Sequence, residues 1–363
     1  MKIECQTALL RNAVQLLQPV CPLRTTMPIL SNLLVKATAG QIELVATDLD
    51  LTVKTKIPSD VVEEGETTIP VRFFLDALRK MNSDTIELSV DEANVSTIRS
   101  GNKVKCSLRG MDPSNFANFP VVESETSIEL PAKELSAMLK YTSYAVSRDE
   151  SKSMLNGVCF NFGDDLDVVA TDGKRLAKYV CVGIKQEKAM QIIVPSKSIS
   201  VIQQILNAEG TAEIKYTSNL MQISTLNSVL VTRLVDEHYP NYNQVIPKSC
   251  QATIEVNRLT FLNAINLATV VTEKSKQAVV RLNFENNLLS ISANTAEIGE
   301  VNDVLEVKYD GEHVDLALNP TYLTDVCQNI ESDEIIIEIT GSGSPLVIRS
   351  GENFLCIIMP MRV

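Results

Sequence analysis

From Thr7 to Gln18 the apolar residues Leu9, Leu10, Ala13, Val14, Leu16 and Leu17 fill one side, and Arg11, Asn12, Gln15 and Gln18 fill the other. That spacing predicts an amphipathic helix. The same rhythm returns over Lys133 to Ser143, with Leu135, Met138 and Leu139, and over Asn257 to Val271, with Leu259, Leu262 and Ile265. Elsewhere the apolar residues alternate. Ile86, Leu88 and Val90 lead to the polar run Asp91-Glu92-Ala93-Asn94, and Ile335, Ile337 and Ile339 lead to Gly341-Ser342-Gly343-Ser344. These predict strands ending in turns, with the glycine-serine cluster read as a hairpin turn.

The pattern has a period. Leu9, Leu135 and Leu259 open equivalent helices 126 and 124 residues apart, and Pro70, Pro195 and Pro320 stand 125 apart each time. Each proline is expected in the first turn of a second helix, where its missing N–H costs nothing. The phrase Val168-Val169-Ala170-Thr171-Asp172-Gly173 reads as a strand entering a tight turn, whose glycine takes positive φ. It has an earlier copy in Leu44-Val45-Ala46-Thr47-Asp48-Leu49 and a fainter one in Ile291-Ser292-Ala293-Asn294-Thr295. Ile98-Arg99-Ser100-Gly101 recurs verbatim at 348–351, and Cys106 recurs as Cys356, with Ile223 and Val231 halfway. Such repetition implies three homologous domains, 1–124, 125–250 and 251–363. They meet at the polar, proline-bearing joints Asp112 to Ser127 and His238 to Ala252. Each is an α+β unit of two helices and several antiparallel strands. The helices are expected at 7–18, 72–81, 133–143, 196–206, 257–271 and 320–330.

Composition narrows the function. No window of 18 or more apolar residues predicts a membrane span, and Met1-Lys2-Ile3-Glu4-Cys5 opens on a strand-like alternation, so a cytoplasmic protein is expected. The eight cysteines are scattered, without a C-x-x-C pair, and read as reduced core residues. Two histidines, His238 and His313, sit in polar contexts, so general bases are scarce. Phosphate-loop, dinucleotide, serine-elbow and zinc-helix motifs are absent from the sequence. A metal-dependent hydrolase built on Asp48, Asp50 and Asp172 is the alternative from the enzyme class. As turn residues, however, these aspartates need no catalytic role.

The net charge of −12 argues against a simple basic-surface nucleic-acid binder. Yet the six expected helices hold Arg11, Arg72, Arg79, Lys80, Lys133, Lys140, Lys197 and Arg258 against Asp76, Glu134 and Asp325, a net of +5 that leaves −17 for the rest. A helix-lined surface that is positive within an acidic body can attract phosphates locally.

Certain motifs, in their order and spacing, resemble one family over the whole chain. They are Met27-Pro28-Ile29-Leu30-Ser31-Asn32-Leu33-Leu34, the two Ala-Thr-Asp phrases, Leu155-Asn156-Gly157, Leu234-Val235-Asp236 with Tyr239-Pro240-Asn241-Tyr242, and Met359-Pro360-Met361-Arg362-Val363. The family is the bacterial sliding clamp, the β subunit of DNA polymerase III. The resemblance implies three tandem clamp domains per chain. Two chains would form a head-to-tail homodimeric ring, with helices lining a channel that encircles duplex DNA without reading its sequence. It implies a non-catalytic processivity subunit needing no cofactor and no metal.

By the same resemblance, Arg24 and Lys197 match positions that touch DNA, and Arg11, Arg72, Arg79, Lys80 and Lys140 join them from the helix pattern. Asp149 stands where relatives can carry an uncharged polar residue. The strand near Lys103 to Leu108 of one subunit would pair with the third domain of the other, with Leu108, Val270 and Val271 as apolar contacts. Linear peptides of the replicative polymerase α subunit, the clamp loader, other polymerases and repair proteins would enter a groove. Its implied residues are Leu155, Thr171, Gly173, Arg175, Leu176, Pro240 and Val245, with Asn319, Tyr322, Met359, Pro360, Met361 and Arg362. Gln244 takes the place of an arginine common in relatives. Leucine, valine, proline and adaptable methionine suit an apolar slot for bulky side chains.

Overall fold

Of the six α-helices among the described residues, five follow a strand without an intervening residue: α1 (Thr7–Leu17), α2 (Val71–Lys80), α3 (Ala132–Thr142), α4 (Ser196–Ile205) and α5 (Arg258–Thr272). The sixth, α6 (Pro320–Asn329), follows after Asn319 alone. The computed structural model describes residues 1–101, 104–124, 126–186, 189–206, 209–272 and 278–362; Lys103 and Val363 lie outside these. All six helices lie within two residues of the expected positions.

The prolines differ from expectation. Only Pro320 sits in a first helical turn, capped by Asn319, whose side chain accepts the Thr321 N–H at 2.9 Å. Pro70 and Pro195 are the last residues of strands. A fixed φ near −65° and no N–H suit the exit from a ladder as well as the entry to a helix. The α1 stripe is narrower than the pattern suggested: Leu10, Ala13, Val14 and Leu17 are buried, whereas Leu9 and Leu16 are half-buried. Of the cysteines, Cys5, Cys21, Cys159, Cys327 and Cys356 are buried, and Cys250 is exposed.

The chain forms two compact units that do not coincide with the repeats: Met1–Ser136 with Lys197–Leu234, and Ala137–Ser196 with Val235–Val363. The first unit has an antiparallel sheet in the order Asp60–Glu63, Lys2–Gln6, Thr85–Val90, Val95–Ser100, Val104–Arg109. Its second sheet has eight strands, in the order Ser127–Pro131, Thr211–Tyr216, Leu220–Ser224, Ser228–Arg233, Leu51–Pro58, Gln41–Thr47, Asn32–Thr38, Gly65–Pro70. Four of those strands come from each of two neighbouring repeats, joined where Leu230 lies opposite Val53.

The second unit repeats the plan. Its eight-stranded sheet runs Met190–Pro195, Gly157–Phe162, Leu166–Thr171, Arg175–Cys181, Phe354–Ile358, Leu346–Ser350, Glu334–Ile339, Ala252–Asn257, and joins where Ala177 faces Cys356. A four-stranded sheet follows, Gly299–Glu306, Leu288–Thr295, Val280–Glu285, Val314–Leu318. Each junction between repeats within a unit is a continuous ladder. Shared ladders leave no exposed sheet edge at a junction.

Candidate functional site

The Ala170-Thr171-Asp172-Gly173 phrase forms the predicted turn. Gly173 has φ +85°, its N–H donates to Thr171 Oγ1 at 3.1 Å, and Asp172 Oδ1 accepts the Lys174 and Arg175 N–H groups at 2.9 and 3.0 Å. The turn delivers Arg175 into the second unit's interior, where the side chain is 9% exposed. Its Nε donates to Asp172 Oδ2 at 3.2 Å, one terminal nitrogen to Asp325 Oδ2 at 2.6 Å, and the other to the Tyr144 carbonyl at 2.7 Å. The guanidinium also lies 4.5 Å from the Tyr322 ring centroid and 5.4 Å from that of Tyr144. Burial works against its charge, but the hydrogen bond and charge of Asp325, with Asp172, outweigh it and raise its pKa. Burial above all lifts the Tyr144 phenol far above its ordinary value.

Of the expected groove residues, Tyr322 stacks on this arginine, and Thr171 and Gly173 belong to the turn that carries it. Leu155 and Leu176 share one buried cluster with Cys159, Val169, Ile193, Tyr239, Tyr242, Val347 and Ile357. Thr171 is buried too, its hydroxyl donating to the Arg175 carbonyl at 2.5 Å. Others are open to solvent: Pro240 and Arg362 are exposed, Val245 is 49% exposed and Met359 43%. Asn319, Tyr322, Pro360 and Met361 are intermediate. The terminal segment is pinned at both ends, the Met359 N–H to the Lys174 carbonyl at 2.9 Å and the Met361 N–H to that of Ala317 at 2.7 Å. Gln244 is exposed beside Val245. Buried leucines beside partly exposed Val245, Met359 and Met361 combine apolar and adaptable side chains of the kind that suits an extended apolar segment.

The sequence pattern missed Asp325 and Tyr144. The available signal was charge, since Asp325 is the sole charged residue of α6 and lies one turn beyond Tyr322. Tyr242 was found as a motif but not for its partners. Its hydroxyl donates to Asp167 Oδ2 at 2.8 Å, and Lys178 pairs with Asp167 at 2.7 Å while lying 5.3 Å from the ring centroid. The first repeat has the counterpart: Lys54 pairs with Glu43 at 3.9 Å and lies 4.5 Å from the Phe119 ring centroid.

In the first unit Arg24, Arg72, Arg79 and Lys80 are exposed and Arg11 half-buried. Arg79 approaches Asp76 at 3.9 Å, and Lys197 pairs with Asp48. Among the described residues, Arg11, Arg24, Arg72 and Lys80 form no ion pair. In the second unit Lys140 pairs with Glu331 at 2.9 Å. Arg258 gives its hydrogen bonds to the Ser332 and Cys327 carbonyls at 2.7 and 3.0 Å. It is a structural cation, so the exposed face of α5 holds Leu259, Asn263, Asn266, Leu267 and Val270 without charge. Asp149 is exposed, and hydrogen bonds from Ser151 lower its pKa.

Of the residues expected at a subunit contact, Leu108 is half-buried on Val104–Arg109, an edge strand. Val270 is 62% exposed; Val271, at 6%, belongs to the buried side of α5 and not to the surface. The helical period separates adjacent residues by about 100°, so both could not face outward. The aspartates of the hydrolase alternative each face a cation: Asp48 faces Lys197, Asp50 faces Arg233 at 3.4 Å, and Asp172 faces Arg175.

Three family models match in succession: the N-terminal domain of the DNA polymerase III beta subunit over residues 1–120, its central domain over 129–241 and its C-terminal domain over 243–362. The chain is 28% identical over 377 residues to the beta sliding clamp of Bacillus subtilis, covering all of both chains. It is likewise 28% identical over 356 residues to that of Chlamydia pneumoniae, covering 98% of this chain and 97% of the relative. Among solved structures, the Bacillus subtilis sliding clamp aligns with a TM-score of 0.92 at 28% identity, covering 100% and 99% of the two chains. A Pseudomonas aeruginosa sliding clamp bound to griselimycin aligns at 0.93 and 26%, covering both chains fully.

Proposed function

The chain belongs to the bacterial DNA polymerase III β-subunit family, the sliding clamps, and from that premise we propose that two copies close head to tail into a ring of six repeats around duplex DNA. Membership makes it a processivity subunit with no catalytic activity of its own, one that works with DNA and polymerase partners. The three domains are taken as 1–124, 125–250 and 251–363.

One observation carries the ring. The strand after the alanine phrase, Leu51–Pro58 in the first repeat and Arg175–Cys181 in the second, pairs each time with the last strand of the following repeat, Ser228–Arg233 or Phe354–Ile358. By the same equivalence, Gly299–Glu306 of the third repeat and Val104–Arg109 of the first are the remaining donor and acceptor. Both are edge strands of their sheets. Their charges are complementary: Lys105 and Arg109 against Glu300, Asp303 and Glu306. A second copy satisfies both edges by the same heterologous contact, and closure at two copies ends the series.

Encirclement removes the need for tight binding, so a few exposed cations (Arg24, Arg72 and Lys80 foremost) suffice for weak, sequence-blind phosphate contacts. The groove around Arg175 and Met361 takes the linear peptides of polymerases, the clamp loader and repair proteins. The ring works in the cytoplasm, where the chromosome lies; among the described residues no helix is long and apolar enough to cross a membrane.

Retention on DNA tests the reading. The loaded protein is expected to stay on a nicked circle through a high-salt wash and to be lost when that circle is linearised. Equal loss from both forms rules out topological enclosure and leaves a repeat scaffold that binds proteins alone.

A further inference from the structure

In the first two repeats the aspartate after the Ala-Thr pair divides its oxygens between two tasks. Oδ1 builds the turn: in Asp48 it accepts the N–H groups of Asp50 and Leu51 at 3.1 and 2.7 Å, as Asp172 Oδ1 does for Lys174 and Arg175. Oδ2 holds a cation. For Asp172 the cation is buried Arg175; for Asp48 it is Lys197, brought from 149 residues away.

The two pairs differ in freedom. Arg175 is locked by three acceptors and two rings. Lys197 is the only charged residue of α4, its side chain is 51% exposed, and Asp48 is its one ion-pair partner among the described residues. Asp48, by contrast, is 16% exposed and anchored by two backbone amides. A fixed carboxylate therefore faces a lysine able to swing away.

We propose that Asp48 is an internal stand-in for a DNA phosphate, holding Lys197 when no duplex is present and competing with the duplex for it. Asp48 is then a positioning residue for DNA contact, and it weakens that contact. The inference rests on Lys197 facing DNA, as the clamp reading has it. Competition of this kind lowers affinity at each phosphate, which favours sliding over sticking. It also reduces the net counterion release that Lys197 contributes, because freeing Asp48 takes cations back up.

Asp48→Asn separates the two tasks, since the amide keeps an oxygen for the turn and loses the charge. Binding of a short fluorescent duplex, whose free ends can thread the ring, is followed by anisotropy across a salt series. Asp48→Asn is expected to tighten binding by about three- to fivefold, the scale of a partly exposed ion pair. It should also steepen the log K against log salt slope by up to about one. Lys197→Gln should weaken binding and make the slope shallower, and adding Asp48→Asn to it should then change neither. An unchanged thermal midpoint for Asp48→Asn shows the turn intact.

If Lys197→Gln weakens binding but Asp48→Asn leaves it unchanged or weaker, competition is refuted while the clamp reading stands. If Lys197→Gln has no effect, Lys197 is not a DNA contact and the inference falls with it. Equal loss from nicked and linear circles would remove the ring itself.

Discussion

At the scale of single residues, the two copies of the Thr-Asp turn show how one backbone shape is reached at different cost. Gly173 adopts φ +85° freely, whereas Leu49, its equivalent, is held at +81°. Thr47 Oγ1 accepts the Leu49 N–H at 3.0 Å, as Thr171 does for Gly173, so side-chain acceptors impose the shape in both. A Cβ added at Gly173 meets nothing within 4 Å. Gly173→Ala should therefore cost only the left-handed penalty, about 1 kcal/mol, read as a lowered thermal midpoint with the groove's peptide affinity little changed. Met361 tests the groove directly. Its backbone N–H is held by the Ala317 carbonyl, and the residue is half-buried. Met361→Asp places a charge on an apolar wall and should weaken a polymerase-derived peptide by about tenfold or more. Titration calorimetry gives the affinity, and sedimentation should show the oligomer mass unaltered. Unchanged peptide affinity would remove Met361 from the groove.

At the scale of elements, helix positions and turns were legible because they are local: apolar spacing and Gly173 need no distant partner. What stayed hidden depends on chain segments far apart. Arg175 meets Asp325 across 150 residues, and Lys197 meets Asp48 across 149. Sequence also fixes which residues are charged, not where the charge is spent. Arg258 counts as a helix cation in composition, yet it is consumed by two carbonyls, and Lys140 is neutralised by Glu331. Of the expected DNA-facing helices, α2 keeps Arg72 and Lys80 exposed without an ion pair among the described residues, and the exposed face of α5 has no charge. Replacing Arg72 and Lys80 together by alanine should reduce the salt slope of duplex binding by up to about two. Polar substitutions at Leu259 and Leu267 on α5 should leave that slope unaltered. An equal drop from both sets would show that charge on α2 is not what the duplex feels.

At the scale of the whole molecule, duplication yields one strand pairing fewer than there are repeats, and in the proposed ring the missing one falls to a second copy. The contact is then a ladder between a basic edge and an acidic edge, which fixes direction as well as partner: two basic edges repel, so head-to-head pairing is disfavoured. Exposed ion pairs contribute only about 0.2–1 kcal/mol each. Glu300→Lys with Asp303→Lys should therefore raise the dimer dissociation constant by roughly tenfold to a hundredfold once like-charge repulsion is added. Salt should narrow that difference by screening it. The decisive arm is the swap. Mixing this variant with a chain carrying Lys105→Glu and Arg109→Glu gives a heterodimer with one native junction and one complementary junction of reversed sign, while combining all four changes in one chain reverses both junctions and keeps both complementary. Analytical ultracentrifugation should find the fourfold variant dimeric near the wild-type concentration and the two double variants largely monomeric there. If the fourfold variant stays as weak as either double variant, the two edges do not face each other, and another surface must close the assembly.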